Sequence, residues 1–297
     1  MTEDLFATRR VLRLSLVACG VVLAGVAPGQ LDSLRRVLGS LPDGPERLPV
    51  LTDMLRSTVF DRPDTALVIC ATYLDIARRS GDPVEIGKAH NFAGMSRTVQ
   101  GRPAKALHEY LLALRSFEQG DDPWYTAMAH NNIAAIYKDE DRNDDALAEF
   151  NRALMGFQEV GDTVWMANVR NNLANVFFDR GQLDSAVHHY RSVIDILSGK
   201  GQDAFAAQVR MNLGNALYAM GDLDGGLERL KEAREQHPIN VGESYRANIL
   251  NALGHLEGLH GDRDSALAHI REGMRIARMV GAATAVADGE EILAGGH

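Results

Sequence analysis

Apolar positions in this chain recur at spacings of three and four, and the stripes they form recur every forty residues. In the unit beginning near Thr163, Met166, Val169, Leu173, Val176 and Phe177 make one such stripe, which the spacing assigns to one face of a helix. Gly181-Gln182 interrupts it, and a left-handed glycine is a common way to end a helix. Asp184 follows as an N-cap or first-turn acid, where its charge suits exposed backbone N–H groups. Ala186, Tyr190 and Val193 then stripe a second helix. Small Ala186 lets the two helix backbones approach, and Tyr190, one turn later, fills the space beyond.

The same grammar runs along the chain. Gly101, Asp141, Gly181, Gly221 and Gly261 form one column, and Ala66, Ala106, Ala146, Ala186, Gly226 and Ala266 a second. Cys70, Tyr110, Phe150, Tyr190, Leu230 and Ile270 form a third. Asp64, Asp144, Asp184, Asp224 and Asp264 share a fourth, with Pro63 and Pro103 just before it as first-turn prolines. A fixed period of this length marks stacked units, each unable to bury its own apolar face alone. The pattern predicts six helix pairs over 47–80, 83–120, 123–160, 163–200, 203–240 and 243–280, and a lone helix over 283–294. In the first pair Asp53 falls in an otherwise apolar column, and a one-residue offset to Met54 repairs it.

The chain before this pattern is different. Arg9, Arg10 and Arg13 precede an apolar run from Leu14 to Ala27 that breaks at Pro28-Gly29, the order a secretory signal peptide needs. The run is short of the roughly 20 apolar residues of a membrane span. Four readings are open: cleavage after Ala27 or Gly29, retention as an anchor, lipidation at Cys19, since Leu16-Val17-Ala18-Cys19 resembles a lipoprotein box, or an ordinary buried N-terminal helix. The expected organisation is a signal peptide over 1–29, a leader over 30–46, a solenoid over 47–282, and a capping helix with its tail over 283–297. The expected location is exported: periplasmic, envelope-associated or secreted. Membrane contact is expected only through the N-terminal segment, if it is uncleaved or lipidated.

Composition narrows the function. A formal charge of −9 argues against a nucleic-acid partner, which would need a Lys/Arg-rich face. No phosphate-cradling glycine loop, His-Glu-x-x-His, Cys-x-x-Cys or nucleophile elbow occurs, so neither catalysis nor a cofactor is expected. His188 and His189 are adjacent, so a helix turns them to different sides. The acidic run Asp139-Glu140-Asp141 with Asp144-Asp145 lacks the spacing of a calcium loop and reads as a capped turn. Cys70 reads as a small buried hydrophobe.

These columns resemble the tetratricopeptide repeat family, carried here by Leu213-Gly214, Leu217, Gly221, Gly226, Leu230, Ala233 and Pro238 and by Leu173-Ala174, Phe177, Gly181, Ala186 and Tyr190. The long unit, with its Asn-Asn-Leu-Ala and Gly-Asp turns, is similar to the repeats of kinesin light chains and spindle-orientation adaptors. With the signal-like start, the chain also resembles extracytoplasmic sensor regions of bacterial signalling proteins. The resemblance implies an all-α, right-handed superhelical solenoid whose first helices line an inner wall.

On those first helices, the positions opposite the apolar stripe are Lys88, Asn91, Met95 and Thr98; Met128, Asn131, Ala135 and Lys138; Asn168, Asn171, Asn175 and Phe178; Gln208, Met211, Asn215 and Tyr218; and Asn248, Asn251, His255 and Gly258. Only Lys88 and Lys138 are charged, where the chain-wide charged fraction of 24 % would give about five. This face is expected to bind a peptide or helix segment of a protein partner through Lys88, Asn91, Asn131, Lys138, Asn168, Asn171, Asn175, Phe178, Met211, Asn215, Tyr218, Asn248, Asn251 and His255. The competing role for the asparagines is to bond neighbouring helices and serve only the stacking. A second class of function is self-assembly, a homo-oligomeric scaffold joined through an open end of the stack.

Overall fold

A computed structural model describes residues 30–237 and 242–295. The expected secretory segment, residues 1–29, lies outside the described residues. Among those residues the chain is all helical, with a single 3-10 turn at Pro45–Arg47 and no strand. The α-helices are α1 (Gln30–Ser40), α2 (Leu48–Thr58), α3 (Pro63–Ser80), α4 (Pro83–Val99), α5 (Pro103–Gln119), α6 (Pro123–Asp139), α7 (Asn143–Glu159), α8 (Thr163–Asp179), α9 (Leu183–Leu197), α10 (Asp203–Ala219), α11 (Leu223–Gln236), α12 (Glu243–His260), α13 (Arg263–Val280) and α14 (Ala283–Gly295). No helix among them is long and apolar enough to cross a membrane.

Two compact units divide the chain, one ending at Met166 and the other starting at Ala167. The first unit holds the hairpins α2–α3, α4–α5 and α6–α7. The second begins within α8 and holds the rest of that helix with α9, then α10–α11 and α12–α13, followed by α14. Met54 is buried and Asp53 exposed, so the first hairpin adopts the offset its sequence required.

Turn chemistry explains why the helices stop where they do. Gly101, Gly181, Gly221 and Gly261 all take positive φ, and Asp141, the non-glycine member of their column, does so at 59°. Aspartate is among the few side chains that tolerate this region. Among the described residues, five helices are capped by the acid immediately before them. Asp82 accepts from the backbone N–H of Val84 and Glu85, Asp122 from that of Tyr125, and Asp162 from that of Trp165. Asp222 and Asp262 repeat this at Gly225 and Ser265. Asp64, Asp144, Asp184, Asp224 and Asp264 lie in the first turn, where their charge meets the helix dipole.

Each hairpin closes on a small residue facing a large one. Ala106, Ala146 and Ala186 are wholly buried, and Tyr110, Phe150 and Tyr190 are nearly so. In the second unit, Ala167, Val193, Val209 and Leu213 surround Tyr190 in one cluster, and Leu230, Ile249 and Leu253 lie in the next. Where α10 meets α11, the backbones approach closely: a Cβ on Gly214 would lie 2.9 Å from the carbonyl oxygen of Gly226, and one on Gly226 at 2.9 Å from that of Gly214. Cys70 is buried, and desolvation pushes its thiol up to about 12, so it stays protonated and inert.

Candidate protein-binding face

The amide-rich positions of the first helices separate into two depths. Asn91, Asn131, Asn168, Asn171, Met211, Asn215 and Asn251 are buried, with Asn171 only 1 % exposed. Lys88, Lys138, Asn175, Phe178, Tyr218, Asn248 and His255 are half-buried and reach the surface. First helices bury side chains around most of their circumference. On α8 these are Ala167, Asn168, Val169, Asn171, Leu173, Ala174 and Val176. The scarcity of charge on this wall therefore reflects burial at half of its proposed contact positions.

The buried amides bond one repeat to the next. In the first unit Asn132 Nδ2 donates to Asn91 Oδ1 at 2.9 Å, and in the second Asn212 Nδ2 donates to Asn171 Oδ1 at 3.3 Å. Both pairs link positions forty-one residues apart. Asn251 would need the same donor at position 292, which is Ile292. Its Nδ2 donates instead to the Ala285 carbonyl of α14 at 2.7 Å, and its Oδ1 is buried with no hydrogen-bond partner among the described residues.

The half-buried positions of the second unit form a distinct surface. Phe178 on α8 and Tyr218 on α10 occupy the same place in successive repeats, with Asn175 and Asn215 one turn before them. Asn175 Oδ1 accepts from the Tyr190 hydroxyl at 2.6 Å, which fixes its amide. His255 on α12 meets Tyr218 edge to face, with ring centroids 5.9 Å apart. Burial lowers the pKa of His255, so its imidazole is neutral at pH 7. Asn248, two turns before His255 on the same face, has a buried Oδ1 without a hydrogen-bond partner among the described residues. This surface is uncharged, aromatic and short of one donor.

In the first unit the two lysines stand apart from such a surface. Lys88 Nζ lies 2.8 Å from Glu85 Oε1 and 4.9 Å from the centroid of the Tyr125 ring. Glu85 also accepts from the Tyr73 hydroxyl. Lys138 sits at the last turn of α6.

Two arrangements escaped the sequence reading. His90 Nδ1 lies 2.7 Å from Glu109 Oε2, and His130 Nδ1 lies 2.6 Å from Glu149 Oε2, each pair tying the two helices of a hairpin. Their signal was a His and a Glu nineteen residues apart in consecutive units. The second is an aromatic edge around Trp124 and Trp165, announced by aromatic residues just after the acidic turns. His188 and His189 meet edge to face, but the His189 ring is stacked on Phe177 at 5.2 Å. Among the described residues, no three His, Cys, Asp or Glu side chains are grouped to hold a metal ion.

The family profile described as tetratricopeptide repeat matches residues 125–198 and 205–279. Among solved structures, BtubC (BKLC) from P. vanneervenii is similar at 22 % identity, over 74 % of this chain and 92 % of that one, with a TM-score of 0.63. NprR in complex with its cognate peptide NprX is similar at 16 % identity, over 94 % of this chain and 78 % of that one, with a TM-score of 0.61. The Rap conjugation gene regulator of plasmid pLS20, in complex with the Phr* peptide, shares 16 % identity over 88 % of this chain and 77 % of that one, with a TM-score of 0.65. At these identities the likeness is one of fold. No curated protein sequence matches the chain.

Proposed function

The chain belongs to the tetratricopeptide repeat family, and on that premise we propose that it is a non-enzymatic interaction adaptor. Its second unit binds a peptide or helix segment of a partner protein on the face carrying Asn175, Phe178, Tyr218, Asn248 and His255. The observation that carries this reading is the buried Oδ1 of Asn248, without a hydrogen-bond partner among the described residues, on the same face of α12 as half-buried His255, which meets Tyr218. A buried acceptor left without a donor costs about 1–3 kcal/mol, and a backbone N–H of a bound segment would satisfy it. Aromatic side chains at successive repeats supply contact area at low entropic cost. Neutral His255 keeps the surface free of charge, so an apolar or amide-bearing segment suits it better than an acidic one. Support by likeness comes from NprR and the pLS20 Rap regulator, helical-repeat proteins solved with peptides bound.

Selection of binders from a random peptide library against the full chain tests the reading. The selected peptides should lose binding to Phe178→Ser/Tyr218→Ser and to Asn248→Leu, while both variants stay folded by circular dichroism. Peptides that bind these variants as tightly as wild type would assign the interaction elsewhere.

We also propose that the protein is exported and acts in envelope signalling, supported by the order basic, apolar and small residues over 9–29. Fractionation of cells carrying a C-terminally tagged chain, with sequencing of its mature N-terminus, checks both location and cleavage.

A further inference from the structure

We propose that the turn-side edge of the first unit, built on Trp124 and Trp165, docks a basic segment of a partner protein. This surface is separate from the second-unit face and does not depend on it. Trp165 stacks on Phe157 with centroids 5.3 Å apart, and Trp124 stands at 86° to Trp165 at 5.5 Å. The two half-buried indoles thus form the walls of a corner. The corner is held in place, because Trp124 Nε1 donates to Asp162 Oδ2 at 3.0 Å while Asp162 Oδ1 accepts the Trp165 backbone N–H at 3.0 Å.

Charge selects the occupant. Residues 116–126 and 156–166 contain Glu118, Asp121, Asp122, Glu159 and Asp162 and no Lys, Arg or His. Glu118, Asp121 and Glu159 are exposed, so the rings sit within a field of carboxylates, and the nearby Lys88 is already held by Glu85. A cation gains twice here, from the carboxylates and from the indole faces, and arginine is the side chain best suited to both. The chain already uses this combination: Lys88 lies over Tyr125 while paired with Glu85, and Arg142 over Tyr137 while paired with Asp145. Beside the corner, Pro123, His130, Arg152, Met155, Gln158 and Glu159 line a shallow groove between α6 and α7, where His130 and Arg152 are both paired with Glu149. Met155, 71 % exposed, offers apolar surface there for the aliphatic stems of long basic side chains.

The chain has two tryptophans, and both are in this corner, so indole emission reports on it selectively. The full chain is titrated with an arginine-rich decapeptide and, separately, with a glutamate-rich one, following tryptophan emission. The arginine peptide should shift emission saturably, and the glutamate peptide should not. Neutralising the edge with Glu118→Gln/Asp121→Asn/Glu159→Gln should weaken the arginine peptide about tenfold. Neutralising three acids of the second unit, Asp224→Asn/Glu235→Gln/Asp264→Asn, should leave its affinity unchanged. Equal weakening by both triple variants would reduce the effect to overall acidity and overturn the proposal, as would calorimetric binding without an emission change. Phe178→Ser/Tyr218→Ser should bind the arginine peptide normally, which keeps failure here distinct from failure of the second-unit face.

Discussion

Asn132 donates its side-chain amide to Asn91 at 2.9 Å across forty-one residues, and both side chains are buried. Removing only the donor strands the Asn91 carbonyl. Asn132→Leu should therefore destabilise the first unit by about 2 kcal/mol. Asn91→Leu/Asn132→Leu, which removes both polar groups, should recover most of that loss. Urea unfolding followed by tryptophan emission reads both variants, because both indoles lie in that unit.

Glycines in the helices of the second unit should respond to alanine with opposite signs. A Cβ at Gly214 meets backbone of α11, which cannot give way, so Gly214→Ala should cost about 2 kcal/mol through overpacking. A Cβ at Gly258 has only Ala266 Cβ at 3.7 Å, an ordinary contact. Gly258→Ala should gain about 0.5–1 kcal/mol by lowering the entropy of the unfolded chain. Thermal unfolding by circular dichroism separates the two.

Helix α14 should loosen as pH rises. Burial, with Glu291 adding to it, raises the carboxyl of Asp288 to about 6, above its value in an unfolded chain. The folded state thus binds the proton more tightly, so stability is full below about pH 4 and declines as pH rises through about 6. After discounting for solvent screening, the effect is about 1 kcal/mol. Arg278, paired with Glu290 at 3.2 Å, ties the helix to α13 throughout this range. Amide protection over Ala283–Gly295, taken relative to the intrinsic exchange rate at each pH, should rise on going from pH 7 to pH 5, and Asp288→Asn should abolish the rise. Equal protection at both values would reject the assignment.

The fold was legible because its determinants are local and repeated. Left-handed Gly101, Gly181, Gly221 and Gly261, the small Ala106, Ala146 and Ala186, and large Tyr110, Phe150 and Tyr190 each mark a fixed step of a hairpin. The binding face was legible only in part. Polar and uncharged side chains on a helix are ambiguous, since they line an open wall or satisfy one another inside a closed one. Asn91, Asn131, Asn171 and Asn251 are inside, at 1–4 % exposure, while Phe178, Tyr218 and His255 reach the surface from the same wall. Which neighbour covers an amide depends on the next repeat, a relation that helical periodicity within one unit does not contain. The corner of Trp124 and Trp165 went unread for the same reason, since it joins residues from different hairpins.

Amide pairs that span forty-one residues make the length of this protein a discrete variable. A duplication or deletion of one whole hairpin preserves the register in which such pairs form, and an insertion of any other length in a helix breaks it. Growth and loss by complete modules is thus the path of least resistance open to such a chain, and its cohesive chemistry acts as a ruler for the genetic changes it can survive.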